Sequence, residues 1–403
     1  MTARRVFVHG VGAVTALGRT WAQSLAPLAA GASAVRPVDT FDAADFPSTV
    51  AAPIAGFDDA DADGDRRLAL ARAAAREAWA HAGIDPDGGR IGIFIGAESG
   101  RAPFATIHAL TRAAGGGNDF DHARFGAQAR DLAARFAAAR MSPASVASFL
   151  AREYGASGPV TTLSLACSSS AAAIAEAARA IRLDLCDVAL CGGVGADVDP
   201  LMLCGFGRIG ALSSRGISCP FDVRRDGFVV GEGAALAVLS ARRGNAGIEL
   251  AGEGRSLDAY NLTAPDPDGE GAARAMRTAL AMAGADRVDV VQAHGTSTPL
   301  NDAVEAKALR RVLGGELDAA RVSSIKGALG HWIAGAGALG FLAAHAALAD
   351  GVILPTANLR EPDPQCSLPH VMGSAVIAPA ETALVNSFAF GGANCSLVLR
   401  RIA

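Results

Sequence analysis

The sequence predicts an α/β protein in which one structural unit occurs twice along the chain. Short apolar runs alternate with alanine-rich runs of helical spacing, and the order of these elements in the first half is repeated in the second. Strands that alternate with helices favour parallel sheets whose faces are covered by helices. We therefore expect a layered fold, with one unit in residues 1–245 and the other in residues 246–403.

Each half is predicted to open with a strand, which a helix and a second strand follow. In the first half these elements are VFVHG (6–10), LALARAAAREAWAHAG (68–83) and IGIFIGAES (91–99). In the second half they are IELAG (248–252), AARAMRTALAMAG (272–284) and VDVVQAHGTS (288–297).

A third strand with its helix and a closing strand complete each predicted unit. The strand and helix are TTLSLACSSSAAAIAEAARAI (161–181) in the first half and RVSSIKGALGHWIAGAGALGFLAAHAAL (321–348) in the second. The closing strands run into arginines, as AALAVLSARR (234–243) and CSLVLRR (395–401). The matching order of elements indicates a gene duplication.

The extra length of the first half lies in residues 101–158, which we interpret as an insertion. It contains GGGND (115–119) and a charged helical run, ARFGAQARDLAARFAAAR (123–140). Insertions on a rigid scaffold are where substrate choice is usually made. We expect this segment to act as a cap or as a dimer arm.

Composition excludes several classes of protein. The chain has 403 residues, of which 19% are charged, and a net charge of only −4, so there is no basic excess for binding nucleic acid. No apolar stretch is predicted to span a membrane, and no signal peptide is recognised at the start. Seven cysteines without CxxC pairing favour neither a disulfide framework nor a metal site, and they indicate a cytoplasmic protein.

Cys167 stands at the joint between a predicted strand, which could be buried, and a helix that begins with three serines. The positive end of a helix dipole lowers the pKa of a thiol, and a tight strand–turn–helix joint leaves a backbone amide beside it to bind an oxyanion. The alternative is that Cys167 is a buried small hydrophobic residue. We apply that alternative to the remaining cysteines, which are Cys186, Cys191, Cys204, Cys219, Cys366 and Cys395.

Two histidines strengthen the catalytic interpretation of Cys167. His294 ends a predicted strand, and His331 follows Lys326 by five residues in the counterpart of the Cys167 joint. A thiol and two imidazoles at strand ends of an α/β fold are suited to acyl transfer. A glycine-rich turn, NSFAFGGAN (386–394), could supply a second oxyanion amide and a lid. The other histidines are interpreted as structural: His9, His81, His108, His122, His345 and His370.

These motifs resemble those of β-ketoacyl-acyl-carrier-protein synthases of the type that elongates fatty acids or polyketides. The resemblance covers residues 6–399 in the order of that family, through ACSSS, RRDGFVVGEG, AHGTSTPLND, SSIKGALGH and NSFAFGGAN. It implies a duplicated thiolase-like fold layered α-β-α-β-α, a dimer, and a decarboxylative Claisen condensation. It implies no bound cofactor, because phosphopantetheine arrives on the acyl carrier protein.

The resemblance also implies a role for each site residue. Cys167 would take the acyl chain, His294 and His331 would donate hydrogen bonds to the malonyl thioester, and Lys326 would steady the charges around His331. The backbone amides of Cys167 and Phe390 would hold the other oxyanion. The remaining implied residues line the substrate site: Phe228 presses on the malonyl group, Phe390 gates the acyl chain with Ala389 before it, and Thr296, Thr298 and Phe388 bind substrate.

Four positions depart from the family pattern. Gly340 stands where a glutamate near the catalytic lysine is usual, so we expect Lys326 to lack a charge partner. Ala389 replaces a glycine of the gating turn, the stretch between residues 143 and 158 is several residues shorter, and Gly210 takes the place of a docking arginine, with Arg208 displaced before it. These departures favour a specialised pathway, such as one producing a polyene, with a homodimer or a heterodimer of related subunits.

Carrier docking is predicted at Arg66 and Arg67, on an exposed helix end after an acidic stretch (residues 58–65), and at Arg208.

Three other functions compete with a condensing enzyme as the interpretation of the whole chain. A degradative thiolase needs a second cysteine in the last glycine-rich turn, where Phe390 stands. A chain-length-factor-like partner subunit generally lacks the nucleophile. A dinucleotide-binding enzyme is disfavoured because Thr15 replaces the third glycine of GxGxxG in residues 9–18.

Overall fold

The computed structural model describes residues 4–57, 65–84, 89–115, 117–133 and 141–402. The elements of the first half are β1 (Phe7–Val14), α1 (Trp21–Ala29), β2 (Arg36–Pro37), β3 (Val50–Ala51), α2 (Arg66–Ala82), β4 (Ile91–Gly96), α3 (Phe104–Ala113), α4 (His122–Ala133), α5 (Ser145–Glu153), β5 (Val160–Leu163), α6 (Ser169–Arg182), β6 (Val188–Ala196), α7 (Pro200–Arg208) and β7 (Glu232–Ser240). Those of the second half are β8 (Ile248–Leu257), α8 (Glu270–Ala283), β9 (Val290–Gln292), α9 (Pro299–Leu313), β10 (Arg321–Ser323), α10 (Lys326–Leu329), α11 (Ala336–Ala349), β11 (Val352–Ile353), β12 (Val376–Ile377), β13 (Thr382–Phe388) and β14 (Ala393–Arg401).

The main sheet has ten strands in the order β10-β9-β13-β14-β8-β1-β7-β6-β4-β5. Outward from the centre, the strands of the first half follow the order β1-β7-β6-β4-β5, and those of the second half follow the order β8-β14-β13-β9-β10. If the five sheet strands of each half are numbered along the chain, both orders are first, last, fourth, second and third. The two halves meet where β1 pairs antiparallel with β8 through two residue pairs. This repeated order is what a duplicated unit produces. The sheet is mixed rather than purely parallel, because β7 and β14 run antiparallel to the outer strands.

The helices form layers on both faces of the folded sheet, and α6 and α11 occupy the middle layer. Helix α6 contacts β4 and β6 of its own half and β14 of the other, and α11 contacts β13 and β6. Helix α2 covers β1 and β7 from outside, and α8 covers β8 and β14. The layering is therefore α-β-α-β-α, as expected for a thiolase-like fold.

Helix α11 is apolar on every side because it lies in this middle layer. Its sequence, AGALGFLAAHAALA, contains no Asp, Glu, Lys or Arg, as is typical of a helix buried all round. Its backbone approaches α6 so closely that a Cβ at Gly337 would lie 2.8 Å from the amide nitrogen of Ala171. The Ala338 N–H also donates to the Ser170 hydroxyl at 2.9 Å. The serine-rich start of α6 is thus attached to the second half.

In its described residues the insertion forms three helices, α3, α4 and α5, and the predicted run 123–140 is described only as far as Ala133. Strand β5, which we expected could be buried, is instead the edge of the sheet. Val160 and Leu165 are exposed there, and the strand ends at Leu163 rather than at Ala166. In the described residues, no helix is both long and apolar enough to cross a bilayer.

Candidate active site

Cys167 lies between the end of β5 and the start of α6, and the serines after it fold the turn back on itself. The Ser168 hydroxyl donates to the Leu165 carbonyl at 3.0 Å, and the Ser169 hydroxyl accepts the Leu165 N–H at 2.8 Å. Ser387, on β13 of the other half, donates its hydroxyl to the Cys167 carbonyl at 2.8 Å. The small side chains of ACSSS therefore satisfy the backbone groups of the turn as well as letting it close.

The pKa of the Cys167 thiol differs from our expectation. Burial raises this pKa to about 12 and outweighs the charge of Lys326 and the backbone N–H of Phe390, which lower it. The expectation of a thiol pKa lowered by the helix end is therefore wrong for the resting protein. The thiol needs a proton acceptor to become a nucleophile.

The two predicted histidines converge on this thiol. His294 closely follows the carboxyl end of β9, whereas His331 follows the short helix α10, which lies between it and β10. The Cys167 sulfur and one ring nitrogen of each histidine lie within 4.8 Å of one another. The imidazole rings meet edge to face, with centroids 5.7 Å apart. The pseudo-twofold arrangement thus brings the two joints together, as the motifs predict.

The partners at Nδ1 of His294 and His331 determine which ring nitrogen carries the proton. The Ile333 N–H donates to Nδ1 of His331 at 3.1 Å, and the Lys326 ammonium lies 3.4 Å from Nδ1 of His294. Burial lowers the pKa of both histidines well below the usual value, so the rings are neutral. A neutral ring whose Nδ1 accepts a hydrogen bond carries its proton on Nε2. Both rings therefore carry an Nε2–H group that can donate to a substrate oxygen.

A thiolate and two imidazoles at this spacing also resemble a metal-ligand set. A metal-bound histidine normally donates its second ring N–H to an acceptor, which leaves the other nitrogen free to bind the ion. Here donors occupy both Nδ1 atoms, from Ile333 and from Lys326. The arrangement suits hydrogen-bond donation to a substrate oxygen better than it suits metal binding.

Lys326 has an acidic neighbour, contrary to the expectation drawn from Gly340. Lys326 starts the short helix α10, not the preceding strand, and its ammonium donates to the His294 carbonyl. Burial lowers the pKa of Lys326 to about 8, and the nearby charge of Glu305 opposes that shift. Glu305 itself accepts the backbone N–H groups of His294 and Gly295 at 2.8 and 2.7 Å. Burial raises the pKa of Glu305 to about 7.

Sequence reasoning did not single out Glu305 or Asp302. Asp302 accepts the amides of Thr296 and Phe221 at 3.0 and 2.8 Å and is fully buried. Both acids lie on the inner face of α9, three residues apart. That i, i+3 spacing of two acids directly after the AHGTSTPL motif is the signal that could have identified them.

A cavity of about 340 Å³ leads from the surface to Cys167. The Phe228 ring packs edge-to-face on His331 with centroids 5.0 Å apart, and Phe388 lies 5.8 Å from His294. The hydroxyls of Thr296 and Thr298 lie 2.9 Å apart. The implied substrate residues brought together in the cavity wall are Phe228, Thr296, Thr298, Phe388, Ala389 and Phe390.

The gating turn places its left-handed residues after Phe390. Gly391 and Gly392 have φ of 84° and 78°, whereas φ at Ala389 is not positive. The Ala389 N–H donates to the Ala393 carbonyl at 2.9 Å, and the Gly391 N–H donates to the Leu262 carbonyl at 2.7 Å. Alanine at 389 is therefore unstrained in this conformation.

The predicted docking arginines differ in their exposure. Arg66 pairs with the buried Glu232 at 2.6 Å, and Arg67 is buried in a pair with Asp65 at 2.9 Å. The expectation that this helix end is exposed is wrong for Arg67, and the acidic stretch before it lies outside the described residues except for Asp65. Arg208 is exposed at the end of α7, beside the cavity mouth at Ile209 and Gly210.

The cysteines also differ from expectation at one position. Five of the six cysteines that were expected to be buried are buried, but Cys204 is exposed on α7. The difference arises because α7 is nine residues long and buries only Pro200 and Leu203.

Comparison with known proteins places the chain among acyl-transferring enzymes. Residues 3–244 match the model of the beta-ketoacyl synthase N-terminal domain, and residues 248–360 match that of the C-terminal domain. The 3-oxoacyl-[acyl-carrier-protein] synthase 2 of Coxiella burnetii is 35% identical, with all of both chains covered. Among solved structures, the ishigamide ketosynthase/chain length factor has a TM-score of 0.87 and 33% identity over all of both chains. A type II polyketide acyl-carrier protein in complex with its ketosynthase has a TM-score of 0.85 and 28% identity over all of both chains.

Proposed function

Because the chain belongs to the β-ketoacyl synthase family and is an acyltransferase of the fatty-acid or type II polyketide kind, we propose that it condenses an acyl group held on Cys167 with malonyl-acyl-carrier protein. One observation carries the proposal. The sulfur of Cys167 and one ring nitrogen each of His294 and His331 converge within 4.8 Å in a cavity open to the surface.

In the first step, the Cys167 sulfur attacks the carbonyl carbon of an acyl thioester. The thiol proton passes through water to the departing phosphopantetheine sulfur as the new C–S bond forms and the old one breaks, because both imidazoles already carry a proton on Nε2 and accept a hydrogen bond at Nδ1. The developing oxyanion accepts the backbone N–H groups of Cys167 and Phe390. The acyl group is then held on Cys167, with its former carrier released as a thiol.

In the second step, malonyl-carrier protein enters and its thioester oxygen accepts the Nε2–H groups of His294 and His331. The carboxylate leaves as CO2, and the bond electrons form an enolate whose charge those donors stabilise. Donors preorganised for a developing charge are each worth about 10²–10³ in rate. The enolate carbon attacks the acyl carbonyl, a C–C bond forms, and the bond to the Cys167 sulfur breaks. A proton from solvent restores the thiol.

The proposed partners are an acyl carrier protein and a second subunit. The proposed location of the protein is the cytoplasm. The carrier partner is supported by the relatives of this chain, which include a 3-oxoacyl-[acyl-carrier-protein] synthase and a ketosynthase in complex with its acyl-carrier protein. The carrier would bring its own phosphopantetheine, so no other cofactor is proposed. The edge strand β5, with Val160 exposed on it and Leu165 exposed just after it, offers unpaired backbone groups to a second subunit. That subunit is either another copy of this chain or a related chain-length factor.

The pathway is proposed to be a specialised fatty-acid or polyketide one. The support is Ala389 in the gating turn, Gly340 in α11 and the short segment before Pro159. A chain-length-factor-like role is disfavoured, since Cys167 and both histidines are present and face one another.

The experiment is a reconstituted condensation followed by mass spectrometry. Purified protein is incubated with a panel of acyl-carrier thioesters, and the acyl adduct is located by peptide mapping. Malonyl-carrier protein is then added, and the β-ketoacyl product is measured. The parent should carry the acyl group on Cys167 and form product, and Cys167→Ala should do neither. A condensing Cys167→Ala variant, or an adduct on another cysteine, would contradict the proposal.

A further inference from the structure

The turn that presents Cys167 is strained at the residue before it. Ala166 has a φ of 47°, in the left-handed region that residues with a Cβ rarely adopt. Such a conformation persists only where surrounding contacts over-determine it. The contacts that hold Ala166 therefore decide where Cys167 points.

The carboxylate of Glu98, in the loop after β4, makes one of these contacts. Its Oε1 accepts the N–H of Ala166 at 3.1 Å, and its Oε2 accepts the hydroxyl of Ser164 at 2.7 Å. On the other side of Ala166, the carbonyl accepts the hydroxyl of Ser169 at 2.6 Å. Both peptide groups that flank the Ala166 Cα are thereby fixed.

The second of these peptide groups contains the N–H of Cys167. Because a peptide is planar and trans, fixing the Ala166 carbonyl directs the Cys167 N–H the opposite way. We infer that Glu98 is a positioning residue, whose carboxylate holds the strained turn so that the N–H and the sulfur of Cys167 keep the geometry of acyl transfer. This inference rests on the proposed function.

The loop that carries Glu98 is itself anchored. Arg67 donates from Nη1 to the carbonyl oxygen of Glu98 at 2.6 Å, and it is held by its pair with Asp65 at 2.9 Å. The buried arginine thus links α2 to the loop behind the nucleophile. This gives Arg67 a place in the support of the site instead of in carrier docking.

The action of Glu98 is geometric, because its charge opposes nucleophile formation. Its negative charge is one of the causes that raise the pKa of the Cys167 thiol. Its carboxylate oxygens contact an amide and hydroxyls rather than the sulfur. The length of the Glu98 side chain and its negative charge can therefore be tested by separate substitutions. The length lets the carboxylate support the turn, whereas the charge disfavours the Cys167 thiolate.

Two conservative variants make that separation. Glu98→Asp keeps the charge but withdraws the acceptor by one methylene, and Glu98→Gln keeps the reach and one acceptor oxygen but removes the charge. Glu77→Asp is the matched control, because Glu77 also accepts backbone amides in the first half, from Ala13 and Trp21 at 2.8 Å. Each protein is mixed with an acyl-N-acetylcysteamine thioester. Acylation of Cys167 is followed by intact mass, and iodoacetamide alkylation of Cys167 is followed against pH.

Glu98→Asp should slow acylation about tenfold or more through kcat, with KM little changed, because the oxyanion amide is misplaced. Its alkylation profile should keep the parent pH dependence. Glu98→Gln should acylate close to the parent rate, with its alkylation profile moved to lower pH. Glu77→Asp should lower the melting temperature alone.

Acylation at the parent rate in a folded Glu98→Asp protein would overturn the inference, as would equal slowing in both Glu98 variants. A parent protein that takes no acyl group on Cys167 would instead contradict the proposed function. The two failures are therefore distinguished within one experiment.

Discussion

At the scale of single residues, neighbouring charges and donors set the chemistry of the buried site. Cys167 rests as a thiol because burial outweighs the ammonium of Lys326. His294 and His331 are neutral because burial lowers their pKa values, and the donor at each Nδ1 leaves the ring proton on Nε2. Lys326 keeps its proton at neutral pH partly through Glu305, since the pKa of about 8 already includes that opposing charge.

Removing the charge of Glu305 should therefore make the decarboxylation rate fall at a lower pH on the alkaline side of the pH–rate profile. In Glu305→Gln the pKa of Lys326 should fall further, because burial then acts on the ammonium with less opposition. Decarboxylation of malonyl-carrier protein should decline at lower pH than in the parent as the ammonium beside His294 loses its proton. The measurement is a pH–rate profile with thermal melting in parallel. An unmoved alkaline limb in a folded variant would contradict the role of Glu305, and Glu316→Gln on an exposed turn is the control.

At the scale of elements, close approach of backbones holds the two halves in register. Helices α6 and α11 meet where Gly337 faces Ala171, and β13 meets the Cys167 turn through Ser387. Two short turns, before α6 and after β13, each contribute an amide to the sulfur of Cys167. Packing in the middle layer therefore determines the geometry of the oxyanion site.

Gly337→Ala should destabilise the protein by about 1–3 kcal/mol, because the new Cβ would lie 2.8 Å from backbone and side-chain atoms of Ala171. Urea unfolding gives the change in the free energy of unfolding. Gly205→Ala on α7 is the matched control, since no atom lies within 4 Å of the added Cβ there. It should be stabilising by about 0.5–1 kcal/mol. Equal effects at the two glycines would refute the close-packing explanation.

Ala389→Gly should leave the gating turn unchanged in its starting conformation, because φ at Ala389 is not positive and no strain is relieved. We expect the single-turnover acylation rate and the range of accepted acyl chains to remain at parent values. Rapid-quench mass spectrometry with short and long acyl thioesters measures both. Faster acylation with a broader range of chains would indicate that the turn must move through a conformation that alanine disfavours.

At the scale of the whole molecule, the pseudo-twofold sheet brings Cys167 into one site with His294 and His331, which lie 127 and 164 positions later in the sequence. The first half provides Cys167, the proposed nucleophile, and Phe228, and the second half provides both histidines, Lys326 and the turn after β13. Between the halves, buried groups such as His345 on α11 lie in an environment that disfavours charge. Burial lowers the pKa of His345 to about 4.

Stability should therefore fall in mild acid. Unfolded chain takes up a proton at His345 near the usual pKa of 6.5, whereas the folded protein does so only near 4. The folded state loses stability as the pH falls from 6.5 to 4, by about 3 kcal/mol in total, and this residue adds no pH dependence above 6.5. Urea unfolding of His345→Gln should show a smaller acid loss than the parent. His108→Gln, at an exposed position of α3, should match the parent, and equal acid losses in all three proteins would contradict the assignment.

Carrier docking should depend on Arg208 more than on Arg66. Arg208→Glu should raise the KM for an acidic acyl carrier protein and flatten its dependence on salt, because Arg208 lies beside the cavity mouth. Arg66→Glu should instead lower the melting temperature, since it leaves the buried Glu232 beside a like charge. Arg287→Glu, at an exposed residue before β9 that pairs with Asp289, is the control for charge reversal. An unchanged KM in Arg208→Glu at low salt would exclude a docking role.

The α/β class, the duplicated order of elements and the convergence of Cys167 with His294 and His331 could all be predicted from the sequence. Apolar periodicity indicates strands and helices, and the order of motifs carries the family resemblance over nearly the whole chain. Such features are local, because each depends on residues that are close together in sequence.

Tertiary structure alone decided the charges and contacts of the site. Burial reversed the expected direction of the Cys167 pKa, and it placed Arg67 inside the protein rather than at a docking surface. Glu305 came to Lys326 through the packing of α9 against α8, and Glu98 came to Ala166 through the pairing of β4 with β5. Desolvation and long-range contact depend on which surfaces meet, and a linear pattern of residue types does not specify that.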